Sequence, residues 1–204
     1  MYQDMIEYVR NFFQGNNGIA SENSVKFPFR DRFDHTMRVY KWAQRINEKE
    51  KGDEVVLLTA AIFHDVGKAI KSDLPHAHVS ADICDKYLKE IGFPADKREK
   101  VVRAVRVHSS KDEKGLDLTL EEKILMDADL CDEVGATAVL WDCMAVAQED
   151  NPNYTKAYEK HLVICEELKS FKKLLKTATG KKLYNKRFSF LNTFIKELKY
   201  ELGL

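Results

Sequence analysis

His64-Asp65 closes the most apolar stretch of the chain, Val55 to Phe63, and is followed by Val66-Gly67-Lys68. An imidazole and a carboxylate at the end of a buried segment are costly unless something neutralises them. A divalent cation is the economical partner; a capped helix end, with Asp65 hydrogen-bonded to backbone, is the plainer alternative. His35 lies 17 residues before Gly52, and His64 lies 12 after it. If antiparallel helices flank Gly52, a rise of ~1.5 Å per residue leaves the two histidines only about 7–8 Å apart in height. His35 is therefore expected to reach His64 and Asp65 across the hairpin. A further element is Asp127-Ala128-Asp129-Leu130-Cys131-Asp132. Asp129 lies beside the face carrying Leu125 and Ala128, and Asp132 follows one turn later. Facing inward, these carboxylates need a cation or hydrogen-bond donors; facing outward, they form an acidic stripe.

The elements that must position these groups read as helices. Apolar residues recur at helical spacing over about 2–14, 33–50, 53–66, 77–91, 95–108, 154–176 and 181–202. Thr119 followed by Glu122 forms a capping box that opens another helix, which runs to about residue 148 or breaks into a pair. The segment 53–66 is apolar nearly all round and is expected at the centre. A polar connector from Gly15 to Ser24 separates the first two helices. Pro28, Pro75, Pro94 and Pro152 all fall between periodic segments, where a helix tolerates them. No strand-like alternation persists. The fold class is all-α, with residues 1–204 forming one domain. Its candidate site core spans about 25–150, and helices from about 151–204 pack on it.

With 44% hydrophobic and 32% charged residues, the chain can build a core, which excludes intrinsic disorder. Lys+Arg and Asp+Glu both number 33, and this balance disfavours nucleic acid as a partner. Between Glu166 and Glu201 there is nonetheless a basic excess, ten Lys/Arg against four Glu. It reads as a solvated face, or as a cationic wall or docking surface. No apolar run approaches the roughly 20 residues that cross a bilayer. Asp4, Glu7 and Arg10 break the order expected of a signal peptide. Cys84, Cys131, Cys143 and Cys165 are widely spaced, as expected of reduced thiols in a cytoplasmic protein. The last amphipathic helix can pack internally or across a homodimer.

His35, the His64-Asp65 pair in its HDxGK setting, and Asp129 resemble the H…HD…D signature of HD-domain metal-dependent phosphohydrolases. Arg38-Val39, Ala60-Ala61, Lys68, His108-Ser109 and the run Glu121 to Asp132 agree with it. The chain looks most similar to the small single-domain bacterial members, whose ending is similar to Lys176-Thr177-Ala178-Thr179-Gly180. The resemblance spans about residues 20–200. It implies an HD-domain helical bundle with additional C-terminal helices, and metal ligation by His35, His64, Asp65 and Asp129. Such mixed nitrogen and oxygen ligation suits Mn²⁺, the favoured ion, and also Mg²⁺, Fe²⁺, Co²⁺, Ni²⁺ or Zn²⁺. Small relatives often carry His-Asp a few residues before the first ligand, where this chain has Asp31-Arg32, so its substrate preference is open.

The implied reaction is hydrolysis of a phosphate ester or anhydride in a small, nucleotide-type substrate. Asp65 or Asp132 would orient or deprotonate the attacking water. Lys68 and Arg38 would neutralise phosphate charge, although Arg38 also reads as a salt-bridge partner and Lys68 as a cation at a helix C-terminus. His108 would protonate the leaving group, or serve as a core histidine. His76 and His78 flank Ala77 near a helix start. If His78 points inward, it and His108 complete a six-ligand set for a second metal. That set resembles the dinuclear HD proteins, which include phosphodiesterases and mixed-valent di-iron oxygenases. A degenerate, non-catalytic nucleotide sensor is the remaining alternative.

Overall fold

Two aspartates start the helices that matter most. Asp31 accepts hydrogen bonds from the Phe33 and Asp34 backbone and opens α2 (Arg32–Glu50). Asp53 does the same for Val55 and Val56 and opens α3 (Glu54–Phe63). Each side chain satisfies N–H groups that a helix start leaves orphaned, worth roughly 1 kcal/mol. Between the two helices, Lys51 takes a left-handed conformation, and the Asn47 side chain brackets Gly52 by accepting from its N–H and donating to its carbonyl. Glu121 accepts from the Asp53 N–H at 2.7 Å, so the turn is also pinned from α6.

The computed structural model describes residues 1–16, 31–111 and 115–204. Around α2 and α3 lie α1 (Tyr2–Gly15), α4 (His76–Glu90), α5 (Ala95–Val107) and α6 (Leu120–Asp132). Beyond them come α7 (Ala136–Val146), α8 (Tyr154–Phe171) and α9 (Ala178–Glu201). The described residues contain no strand, so the fold is all-α. The expected connector past Asn16, and Pro28 within the expected core, lie outside the described residues. Among those described, no helix is long and apolar enough to cross a membrane, and the four cysteines are free thiols.

All eight residues from Val56 to Phe63 are buried, as an all-round apolar helix requires, and α3 packs on α1, α2, α4, α5 and α6. Each large side chain buried there contributes roughly 1.5–3 kcal/mol. A second apolar cluster joins Leu130 and Cys131 of α6 to α7, α8 and α9, and Trp42 and Leu183 pack against both clusters. The expected capping box is present at Thr119 and Glu122. The expected element up to residue 148 is a broken pair. Gly135 adopts φ +100°, a conformation L side chains rarely take, and separates α6 from α7. The segment expected to run on to residue 176 ends its α-helix at Phe171 and continues as a short 3-10 turn, Lys172–Leu174.

The central helix stops sooner than its apolar pattern suggests. It ends at Phe63, His64 caps it, and Val66–Ala69 forms a 3-10 turn against α4. Gly67 makes that approach. Its N–H donates to Ser80 Oγ at 2.9 Å, and a Cβ there would fall 2.5 Å from the His76 carbonyl and 2.6 Å from the Ser80 nitrogen. The neighbours are backbone atoms and cannot swing aside. We predict that Gly67→Ala pushes α4 away and destabilises the protein by about 1–3 kcal/mol, measured by denaturant unfolding. An unchanged unfolding midpoint would contradict this close-contact role.

Candidate metal centre

The hairpin delivers His35 and His64 to one point, with their Nε2 atoms 3.4 Å apart. Helix α6 adds Asp129, whose Oδ1 lies 3.3 Å from His35 Nε2. Asp65 follows the end of α3, with Oδ2 at 3.6 Å from His35 Nε2 and 3.8 Å from His64 Nε2. The four ligands expected from the sequence are thus neighbours, and His35, His64 and Asp65 are almost fully buried.

Asp65 also faces the other way. Its Oδ1 lies 3.3 Å from His76 Nε2 and 3.5 Å from His108 Nε2, and those two nitrogens are 3.3 Å apart. Two donor groups therefore meet at this carboxylate, His35–His64–Asp129 on one side and His76–His108 on the other. The histidine from the start of α4 is His76, not the expected His78. Residues two apart on a helix point to nearly opposite sides, and here His78 is exposed.

The hydrogen bonds around the rings suit metal ligation. His64 Nδ1 lies 2.8 Å from the Ala61 carbonyl, and His108 Nδ1 lies 2.7 Å from the Val105 carbonyl. A carbonyl accepts only, so each Nδ1 carries the proton and each Nε2 presents a lone pair to the cluster. Lone pairs and carboxylate oxygens converging in a dry interior require a positive charge among them. The residues fit a divalent cation on this ground, and the nitrogen and oxygen donors contain no thiolate.

Charged side chains surround this centre. Lys68 Nζ lies 3.5 Å and an Arg32 guanidinium nitrogen 3.4 Å from Asp65 Oδ2, and Lys111 Nζ lies 2.5 Å from Asp129 Oδ2. Arg32, the residue at the sequence departure, is buried in the site rather than lost from it. Lys111 was not anticipated; it follows Ser109-Ser110 in a segment without periodicity that would mark it.

Three other expected site residues have neighbours that bear on their roles. Asp132 accepts a bond from His35 Nδ1 at 2.8 Å, on the ring edge opposite Nε2, which orients the imidazole. Arg38 grips that same carboxylate through Nε at 2.8 Å and Nη2 at 3.0 Å, in keeping with its reading as a salt-bridge partner. His108 is buried with its Nε2 beside Asp65 Oδ1.

Burial opposes protonation of His35, but its hydrogen bonds to Asp129 and Asp132 prevail and raise its pKa to about 9. Burial pushes His64 and His76 down to about 4. Although burial opposes ionisation of Asp65 and Asp129, nearby His64 and Lys111 respectively hold them well below the usual carboxylate range. Of His35, His64 and His76, only His35 thus carries a second ring proton, and so a positive charge, at neutral pH when no cation is bound. We predict that Mn²⁺ uptake at pH 7 releases about one proton per chain from this residue, and that affinity rises with pH until about 9. Calorimetry in buffers of different ionisation enthalpy measures the release; a buffer-independent heat at pH 7 would refute it.

Residues 32–133 match the family model for the HD domain. "Uncharacterized protein YpgQ" of Bacillus subtilis (strain 168) is 26% identical over 171 residues, 82% of each chain. An HD-superfamily hydrolase from Bacillus thuringiensis superposes with TM-score 0.74 at 18% identity, over 98% of this chain and 96% of that one. The structure of B. subtilis YpgQ in complex with ADP gives TM-score 0.61 at 23% identity, over 93% and 97%. The matched segment runs from the first residue of α2 to just past α6 and contains both donor groups around Asp65, so the chain belongs to the HD-domain family.

Proposed function

We propose that this chain is a divalent-metal-dependent phosphohydrolase acting on a phosphate ester or anhydride of a small, nucleotide-type substrate. His35, His64 and Asp129 with Asp65 would hold one ion, and Asp65, His76 and His108 would hold a second. The observation that carries this reading is the position of Asp65, with one oxygen turned to each donor group. Family membership supports the reaction class, since HD proteins are generally metal-dependent phosphohydrolases. The ADP complex of YpgQ supports a nucleotide. Mn²⁺ is the assigned ion, in keeping with the mixed donor set. The apolar contacts of α6 with α9 support treating residues 1–204 as one domain.

Bound cations of this kind lower the pKa of water and neutralise charge on phosphoryl oxygens. The chain's own residues do the rest. Asp132, gripped by Arg38, keeps the His35 ring turned so that Nε2 faces Asp129 and Asp65. The Ala61 and Val105 carbonyls hold His64 and His108 in the tautomers that present Nε2. Lys68 supplies positive charge beside Asp65, where a phosphate would sit, and Arg32 adds to it from the buried side.

Phosphate and pyrophosphate release is to be assayed over a panel of nucleotides, with EDTA-stripped protein and with added Mn²⁺. Release is expected only with metal. Asp65→Ala should lose hydrolysis by at least about 100-fold, together with bound metal, because a direct ligand matters more than the 10–100-fold of an outer partner. Metal retained with full turnover would sink the assignment. Oxygen uptake by ferrous protein without phosphate release would favour the oxygenase instead. For the second ion, His76→Ala should halve the metal bound per chain while His78→Ala leaves it unchanged. A wild-type stoichiometry of one would remove the dinuclear part of the proposal.

A further inference from the structure

The segment leading into α9 lies far along the chain from the matched residues, yet it is tied to the metal centre by a closed circuit of four groups. Asp127 Oδ1 accepts from the Lys176 N–H at 2.8 Å. Lys176 Nζ donates to the Lys111 carbonyl at 2.8 Å. The Lys111 ammonium contacts Asp129 Oδ2, and Asp129 stands two residues from Asp127 on α6. The Thr177 N–H and hydroxyl both donate to Asp127 Oδ2 at 2.7 Å, which locks the start of the circuit. Lys176 therefore sets where the backbone of Lys111 lies, and Lys111 sets a positive charge against a metal ligand.

Asp129 divides its two oxygens between these neighbours, Oδ1 toward His35 and Oδ2 toward Lys111. His35, His64 and Asp129 would hold a cation that draws on the charge of that carboxylate and so would weaken its hold on the ammonium. The Lys111 ammonium sits on a flexible stem beside Asp129 Oδ2. Asp65 and Glu133 also act on this ammonium, and a substrate phosphoryl oxygen beside Asp129 would be a further anion within its reach. Lys68 and Arg32 both address Asp65, so Lys111 supplies charge on the opposite flank, beside Asp129.

We infer that Lys111 is a catalytic residue that transfers its ammonium contact from Asp129 to the substrate phosphoryl group, and that Lys176 is the positioning residue that holds it there. The inference deepens the phosphohydrolase reading and rests on it. It makes the C-terminal segment part of the active site.

The test uses the full chain, saturating Mn²⁺ and the panel nucleotide that the wild type hydrolyses fastest. Lys111→Met should retain Mn²⁺ and lose about 100-fold in kcat, the effect of removing one charge-stabilising donor. Lys176→Met should lose about 10-fold in the same parameter, with Lys176→Arg restoring it. The double variant should be no worse than Lys111→Met alone, because Lys176 acts through Lys111. Lys111→Gln is read the same way should Lys111→Met fail to fold in a thermal scan. Three results overturn the inference: Lys111→Met within about twofold of wild type, a Lys111→Met protein that holds less Mn²⁺ than wild type, or Lys111 and Lys176 effects that multiply. A wild type inactive over the whole panel instead overturns the phosphohydrolase reading beneath it.

Discussion

Burying His35, His64, Asp65 and His108 against one another, with Asp129 at their edge, is the constraint on which this structure turns. Desolvated imidazole lone pairs and carboxylates repel unless positive charge stands among them. The protein meets that demand in two ways. Arg32, Lys68 and Lys111 place charged groups against Asp65 and Asp129. His35 itself, bonded to Asp129 and Asp132, holds a proton up to about pH 9. Both arrangements leave a cluster that a divalent cation neutralises more completely, since the proton on His35 occupies the place such an ion would take.

The fold is organised to bring those groups in from separate elements at fixed heights. The Asn47–Gly52 bracket and Glu121 set the angle of the hairpin, so His35 and His64 meet. Helix α3 ends early because the chain must leave helical geometry to turn Asp65 between two donor groups. Gly67 then permits α4 to press on the next turn, which carries His76 to the far oxygen of Asp65. A second layer of contacts keeps the ligands aimed, through Asp132 and Arg38 behind His35 and through the Ala61 and Val105 carbonyls behind His64 and His108. Outer partners of this kind fix tautomer and ring orientation.

The two aspartates of the Asp127-Ala128-Asp129 segment divide the labour. Asp127 is wholly buried, and its burial raises its pKa despite three hydrogen bonds from Lys176 and Thr177. It fastens the C-terminal segment to α6, while Asp129 faces His35 and Lys111 at the candidate metal centre. Carboxylates two apart on a helix point to different sides, so one motif serves both stability and chemistry. The ending Lys176 to Gly180 and the motif on α6 are therefore parts of one arrangement.

Much of this was legible in the residues. Helical periodicity, proline placement and the Thr119–Glu122 box located the helices, because these signals are local in the chain. His35, His64, Asp65 and Asp129 stood out because ionisable residues on apolar faces need partners, and the hairpin arithmetic brought two of them together. The order His76-Ala77-His78 did not say which histidine turns inward, since that depends on how α4 rotates over Gly67. Nor did any periodicity mark Lys111, or reveal that Arg38 grips Asp132 and Asp132 grips His35. Spacing within a helix determines which residues share a face; only packing between helices decides which atoms on that face meet, and at what distance.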